Sequence, residues 1–417
     1  MQKSLDWQRM NNKGTMEHKN KLIPELRFPE FVKDGEWKEK IVGDILQSES
    51  STMALNKLEL KQSGYKVYGA DSVVGYVNFY QQEEKYISIV KDGSGVGRLN
   101  LCEGKTSILG TLSCLKSKNK EKYNLVWSYY LLNTIDFSSY VKGAGIPHIY
   151  YSDYKNEKVS VPKPKEQQKI ADCLTSLDEL ITAHNDKLET LKNHKKGLLQ
   201  NLFPDPSTSS GQKVPNYRFP EFVNDGEWEE DALGKICDVR DGTHDSPKYV
   251  LKGYALITSK NLLTTGEIDS ENVNYITEND YQQINKRSKV NIDDILFGMI
   301  GTIGNPVIVK KDGFAIKNVA LIKSIGMIDQ KFLLQQLKSN YILKQFEKEN
   351  AGGILKFIAL GTIRNLNIVI PSISEQKKIE KCLSTIENLI TAQTEKVEQL
   401  KAHKKGLMQG LFPKMSE

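Results

Sequence analysis

The chain has 417 residues, of which 39% are hydrophobic and 26% charged, and it carries a formal net charge of +6. That length predicts two to three domains with enough apolar residues for buried cores. No run approaches the 18 apolar residues of a membrane-spanning helix, and a mildly basic balance is compatible with nucleic acid without being diagnostic of it.

Residues 1–23 read as a polar leader. They lack the apolar core of a secretory signal, so the cytoplasm is the expected compartment. Five cysteines (Cys102, Cys114, Cys173, Cys237, Cys382) show no CxxC and no metal-ligand spacing. They are expected to be small buried side chains rather than a disulfide framework.

An anchor follows. Pro24–Ile45 and Pro215–Ile236 share 14 identities in 22 positions, including RFPEF and the later Trp37 and Trp228. Pro29 and Pro220 disfavour helix before them, and the Asp-Gly pairs at 34–35 and 225–226 favour a turn. The plain reading is an extended anchor whose aromatics pack on a neighbouring core.

Residues 24–160, anchor included, are expected to form a first domain. It opens with short strand-like runs, YKVYGA and VGYVNFY, and Tyr86–Val90 is a further strand candidate. KDGSGVGR (Lys91–Arg98) follows it, then a helix candidate over Asn124–Thr134 and the glycine-rich turn KGAGIPH.

Residues 161–203 predict one long helix, 204–216 a Pro/Ser/Gly linker, 217–369 a second domain and 370–413 a second long helix. The helices are repeats. From Val161 and Ile370, 24 of 44 ungapped positions are identical, at a constant offset of 209. Leu174, Ile181, Leu188, Lys195 and Leu202 fall at heptad position a, and Ile170, Leu177, His184, Leu191 and Leu198 at d. The second copy gives Leu383, Ile390, Val397, Lys404 and Leu411 at a, with Ile379, Ile386, Gln393, Leu400 and Leu407 at d. A seam that long argues for coiled-coil packing, with polar His184 and Gln393 setting register at some cost in stability. Lys195, Lys196, Lys404 and Lys405 are either a solvated face or a partner contact.

The second domain repeats the plan of the first with different residues. DILFGMIGTIGNPVIV stands where ISIVKDGSGVGRLNL stands, KKDGFAIKNVALIK where LCEGKTSILGTLSCLK stands, and DQKFLLQQLKSNYILKQFEKE reads as the helix before the turn AGGILKF. Mixed strands and helices with many turns indicate an α/β (α+β) fold, so two similar domains are expected.

No recognisable catalytic centre is present. GSGVGR lacks the helix a dinucleotide loop requires. GxxxxGK[ST], HExxH, GxSxG, zinc spacing and an S-adenosylmethionine motif with its (N/D)PP(Y/F) partner are missing. Asp293 and Asp294 have no lysine at nuclease spacing.

Polar and basic loop residues remain as candidates for gripping phosphates or reading base edges. In the first domain they are Lys91, Ser94, Arg98, Lys142, His148 and Tyr150. In the second they are Thr243, His244 and Lys248 in DGTHDSPKY, Ser259, Lys260 and Asn261 in ITSKNL, Lys317 and Asn318, and Lys356. Any one of them is equally well a turn-capping residue; their matching placement in both halves lifts the set.

These features together resemble a type I restriction–modification specificity subunit. The carrying motifs are EQQKI (Glu166–Ile170) and EQKKI (Glu375–Ile379), each helix ending KKGLxQxLFP, RFPEF before each variable segment, and DGTHDSP with ITSKNL. The resemblance covers nearly the whole chain from Pro24. It implies two target recognition domains reading the halves of a bipartite, asymmetric site in double-stranded DNA, joined by an antiparallel helical spacer in a pseudo-twofold repeat. It further implies docking of two methyltransferase subunits and of motor-nuclease subunits, and no membrane. This chain would be non-catalytic and without a cofactor, S-adenosylmethionine, ATP and Mg belonging to the partners. A stand-alone DNA-binding regulator dimerising through its long helices is the alternative reading, and a non-DNA coiled-coil scaffold another.

Overall fold

The computed structural model describes residues 22–206, 211, 213–349 and 357–413. The chain forms two compact units, one made of Met1–Asn185 with Glu395–Glu417 and the other of Asp186–Thr394. The unit boundary falls inside both long helices.

In the first unit the elements are β1 (Lys38–Ile41), α1 (Val42–Ile45), β2 (Leu46–Ser50), β3 (Tyr65–Tyr68), β4 (Val73–Val77), β5 (Tyr86–Val90), β6 (Leu99–Cys102), β7 (Ser107–Ile108) and β8 (Leu112–Ser117). Then come α2 (Leu125–Leu132), α3 (Tyr151–Tyr154), β9 (Lys158–Val161) and the long α4 (Pro164–Asn201). The second unit contains β10 (Glu229–Ala232), α5 (Leu233–Ile236), β11 (Cys237–Asp241), β12 (Tyr249–Val250), β13 (Tyr254–Thr258), β14 (Asn274–Ile276), α6 (Glu278–Ser288), β15 (Ile295–Gly298) and β16 (Gly304–Ile308). It continues with β17 (Ala315–Lys317), β18 (Val319–Ser324), α7 (Gln330–Gln336), α8 (Asn340–Glu349), α9 (Leu360–Arg364), β19 (Asn367–Ile370) and α10 (Ile373–Leu411).

The two domains share one core topology, to which the second adds β12 and α6. A four-stranded sheet has the order β2-β8-β5-β6 in the first unit and β11-β18-β15-β16 in the second. A smaller sheet joins β3 to β7 in parallel, matched by β13 with β17, and β1 pairs with β9 as β10 pairs with β19. The strand candidate Tyr86–Val90 is β5, buried at all five positions, and Asn124 caps α2 through its side chain. The helix expected over 329–349 is instead split. Lys338 and Ser339 bond back only three residues, to Gln335 and Gln336, and the chain restarts as α8. The run reads as one helix because its apolar spacing continues; Ser339 and Asn340, residues that favour caps, divide it.

Inside each unit, halves of α4 and α10 pack antiparallel. In the first, Asp178 meets Lys404 at 2.5 Å, while Ile170 and Leu174 share a core with Leu407 and Leu411. In the second, Lys195 meets Glu387 at 2.6 Å, and Leu198 and Leu202 share a core with Ile379 and Leu383. No seam position is exposed. The two lysines at position a therefore find carboxylates within the chain.

The anchors contain more than aromatic packing. Arg27 donates from Nε and Nη2 to Glu166 at 2.8 Å each, and from Nη1 to the Gly35 carbonyl at 2.6 Å. Arg218 does the same to Glu375, at 2.9 and 2.8 Å, and to the Gly226 carbonyl. Gly35 and Gly226 sit at φ +76° and +77°, a turn that a side chain would strain. The next residue of each motif, Gln167 or Gln376, accepts from the backbone N–H of the cap residue of α2 or α7, Asn124 or Asp329, at 2.8 Å. Lys169 and Lys378 lie over the rings of Phe28 and Phe219. Each anchor thus locks a helix start to the domain beside it. Above the lock an aromatic cluster closes the core: Trp37, Trp127 and Phe412 in the first unit, Trp228, Phe332 and Phe203 in the second.

Candidate nucleic-acid interface

In the first unit the loop after β5 is wound on itself. Gly97 donates to the Val90 carbonyl at 2.9 Å, with Gly93 and Gly97 at φ +97° and +85°. A second loop is pinched where Lys142 and His148 exchange backbone hydrogen bonds of 2.9 and 2.8 Å. At Gly143 (φ +93°) a side chain would stand 2.4 Å from the Ile146 carbonyl oxygen. The loops are zipped together: Gly93 donates to Pro147 O (2.9 Å) and Ile149 to Lys91 O (2.8 Å).

This assembles Lys91, Ser94, Lys142, His148 and Tyr150 on one surface. Tyr150 is half exposed, and its ring lies 5.2 Å from that of His148. Arg98 folds back over Gly95 onto Asp71 at 2.5 Å. Lys142 pairs with Asp153 at 2.6 Å, and this hydrogen bond together with one from the Tyr150 N–H holds the Asp153 carboxyl below its ordinary pKa. The Arg98–Asp71 pair, exposed on both sides, is worth only about 0–1 kcal/mol, whereas the Asp153 side chain that holds Lys142 is only 11% exposed.

In the second unit, Gly242 lets the loop after β11 lie against β17, where a Cβ would meet the Ile316 carbonyl oxygen at 2.3 Å. Thr243 donates to Ile316 O (3.0 Å), and Asn318, at φ +55°, donates to Thr243 O (3.1 Å). The His244 ring is held at both nitrogens, by Asp241 Oδ2 at 2.7 Å and Asn318 Oδ1 at 2.8 Å. Lys317 donates to Ser246 Oγ at 2.7 Å. Lys248 and Lys260 are exposed, and Lys356 lies outside the described residues.

Two candidates are turned inward. Ser259 is buried, donates to Asn318 O at 3.0 Å and accepts from Met299 N–H at 3.1 Å. Buried Asn261 accepts from Thr258 and donates to the carbonyls of Asp269 and Asn272. ITSKNL is therefore a corner in which only Lys260 faces solvent. Sequence reasoning missed Asp241, which orients His244, and Arg287 at the end of α6, which pairs with Asp241. Asp241 stood inside a recognised motif; nothing local marks Arg287. The acidic pair resolves as structure too, because buried Asp294 is paired with Lys323 on β18. Among the described residues no cluster of His, Cys, Asp or Glu is placed to hold a metal, and no helix is long and apolar enough to cross a membrane.

A family model described as type I restriction modification DNA specificity domain matches residues 34–193 and 225–402, one match on each half. The chain belongs to that family. Among curated proteins of Methanocaldococcus jannaschii, it is 28% identical over 413 residues to the type I restriction enzyme MjaVIII specificity subunit, covering 92% of each chain. It is 27% identical over 410 residues to the putative MjaX specificity subunit, covering 89% of this chain and 92% of that one. Its fold is similar to the S subunit of the type I restriction–modification system of M. genitalium, with a TM-score of 0.65 at 17% identity, covering 91% of this chain and 97% of that one. A chain from a structure on complex assembly and conformational transition of the type I R-M system aligns with a TM-score of 0.52 at 14% identity, over 90% and 97% of the two chains. This specificity subunit therefore carries two specificity domains of mixed α/β fold and two long helices, as the repeats predicted.

Proposed function

We propose that this specificity subunit reads a bipartite, asymmetric site in double-stranded DNA, one domain per half-site, and directs methylation and cleavage carried out by other subunits. The observation that carries the reading is the pairing of one topology and one anchor with two unrelated loop sets. A duplicated scaffold with different surfaces suits two different half-sites. Lys91, Ser94, Lys142, His148 and Tyr150 form the proposed contact surface of the first domain, with Arg98 available once it leaves Asp71. Thr243, Lys248, Lys260 and Lys317 form that of the second, beside His244 and Asn318. Ser259 and Asn261 leave the contact set for a supporting one.

Phosphate contacts from the lysines would position the duplex and polar loop side chains would read it. The helices, 38 and 39 residues long, extend roughly 57 Å at 1.5 Å per residue and are proposed as the spacer between half-sites. The burial of their seams within the chain favours this over dimerisation through the same helices. The chain is proposed to be non-catalytic, with S-adenosylmethionine, ATP and Mg used by two methyltransferase subunits and by motor-nuclease subunits.

Exchanging residues 229–369 for the corresponding segment of a relative tests the reading. In a host carrying the intact system, methylome sequencing should show one half of the methylated motif replaced and the other kept. A change in both halves, or in neither, refutes it.

A further inference from the structure

One residue of the second domain is gripped from several sides at once. Asn318 stands in the left-handed region, at φ +55°, in the corner between β17 and β18. Its N–H donates to Thr243 O at 3.1 Å, and its carbonyl accepts from the buried Ser259 hydroxyl at 3.0 Å. The next residue begins β18, so the backbone has more than one hold, and the direction of the side chain is a separate matter.

His244 sets that direction. Its Nδ1 lies 2.8 Å from Asn318 Oδ1, and its Nε2 lies 2.7 Å from Asp241 Oδ2. Asp241 closes β11 with its side chain only 8% exposed, and its other oxygen accepts from Arg287 at the end of α6. Arg240 donates to the Arg287 carbonyl at 2.9 Å and so clips that end of α6 to β11. A polar chain therefore runs from Arg287 through Asp241 and His244 to the half-buried Asn318 amide. The last torsion of an asparagine is otherwise broad and two-fold, and fixing it before contact spares the ordering cost at contact.

The chain has no counterpart in the first domain. Asp241 pairs with Ala320 as Ser50 pairs with Ser113, which sets Ser50, Met53 and Thr111 where the second domain has Asp241, His244 and Asn318. Nor does the first unit contain a helix equivalent to α6. The scaffold is duplicated and this chain is not, which suits a feature that reads one half-site.

Counting hydrogen bonds narrows what the amide can read. A carboxamide accepts two at oxygen and donates two at nitrogen. The imidazole engages one of these, and among the described residues Nδ2 has no partner. An acceptor beside a donor remains. That pair matches the major-groove edge of adenine, where N6 donates and N7 accepts, whereas guanine offers two acceptors there.

We propose that Asn318 reads an adenine in the half-site of the second domain, distinct from the base that is methylated. His244, Asp241 and Arg287 are the positioning residues that aim its amide. This rests on the function proposed above and adds to it the reading residue and the base.

The test uses the full chain assembled with the methyltransferase subunits of its own system. The half-site concerned is the one replaced when residues 229–369 are exchanged. Competition binding to duplexes carrying each of the four base pairs at each of its positions measures preference, and methylome sequencing reads it in the host. Asn318→Gly and Asn318→Asp both suit the left-handed backbone, and circular-dichroism melting checks that the fold is kept. Each should cut the preference for adenine at one position by about tenfold or more and leave the other positions and the other half-site unchanged. The aspartate should also move that position towards cytosine, whose N4 donates. His244→Ala should weaken the same position and no other. His244→Asn, whose side chain reaches the place of Nδ1, should restore most of the preference; a merely structural role would lower stability without singling out a base. Unchanged preference in both Asn318 variants, an equal loss at every position, or a wild-type half-site with no adenine apart from the methylated base overturns Asn318 as a reader and leaves the function standing. An effect confined to a base other than adenine overturns the hydrogen-bond assignment, and wild-type preference in His244→Ala overturns the positioning chain. A wild-type complex that methylates no bipartite site overturns the functional reading itself.

Discussion

Replacing Arg27 by Leu should destabilise the first unit more than any surface substitution. The side chains of Arg27 and Glu166 are 7% and 1% exposed, so the variant leaves a carboxylate buried without a counter-charge. Breaking such a pair from one side costs about 3–5 kcal/mol. At roughly 2–4 °C per kcal/mol for a unit near 200 residues, the melting temperature should fall by on the order of 10 °C. Removing the second charge as well, in Arg27→Leu with Glu166→Met, should recover most of that loss, because a well-packed apolar pair replaces a buried ion pair at little cost. Recovery should fall short by about 1 kcal/mol for the hydrogen bond Arg27 also donates to the Gly35 carbonyl. A double-mutant cycle by chemical denaturation reads the coupling directly. Arg218 and Glu375 serve as an internal replicate, with the Arg218 pKa raised mainly by its hydrogen bonds to Glu375. The reasoning is refuted if the single variant melts within about 2 °C of wild type, or if the two losses simply add.

Glu387 offers a pH test. Burial alone would raise its pKa, but Lys195, Lys338 and Gln335 outweigh burial and hold it below the ordinary carboxylate value. Its stabilisation is then present above the unfolded value near 4.5 and is lost as pH falls through the lower folded one. Glu387→Gln should cost roughly 1.5–3 kcal/mol at pH 7, and its melting curve should converge with wild type towards pH 3; a pH-independent gap refutes this. Ser259→Ala should lower stability by about 1–3 kcal/mol while leaving the methylated motif unchanged, whereas Lys248→Ala with Lys260→Ala should leave stability alone and flatten the salt dependence of DNA binding by the assembled complex. The reverse pattern would move Ser259 back into the contact set. Leu at both His184 and Gln393 should raise the melting temperature by removing polar seam positions, and a marked fall would reject their role as register-setting residues.

How much of this was visible in the sequence follows from the range of the interactions. The seam, β5 and the Asn124 cap are written in spacings of a few residues, and the two-domain plan in a repeat that can be laid over itself. Arg27 and Glu166 are separated by 139 positions and Asp241 and Arg287 by 46, so no local pattern announces either pair. Residue type also does not say which way a side chain faces. Ser259, Lys260 and Asn261 are consecutive and all polar, yet only the lysine is exposed, because the turn after β13 carries its neighbours into the core. Likewise Lys195 and Lys404 interrupt an apolar seam on paper and are matched to carboxylates across an antiparallel partner.

The distribution of repeated residues explains how one scaffold holds two different loop sets. Each lock draws on the start of a long helix, an anchor and a helix cap (Glu166, Gln167, Arg27 and Asn124 in one unit; Glu375, Gln376, Arg218 and Asp329 in the other), and the closing Phe of LFP completes the aromatic cluster above it. The loops proposed to touch DNA take no part in it. Their backbone bonds run among themselves or to the adjoining strand, as Gly93 to Pro147 and Thr243 to Ile316 do, and their side-chain pairs (Arg98–Asp71, Lys142–Asp153, Asp241–Arg287) stay within the same unit. A substitution in such a loop therefore leaves the buried ion pair and the aromatic cluster intact, and its energetic cost stays within one domain. The 18 extra residues between anchor and helix in the second half fit the same logic, since they fall between β11 and β15, where α6 has no counterpart in the first unit, and so move neither end of the lock.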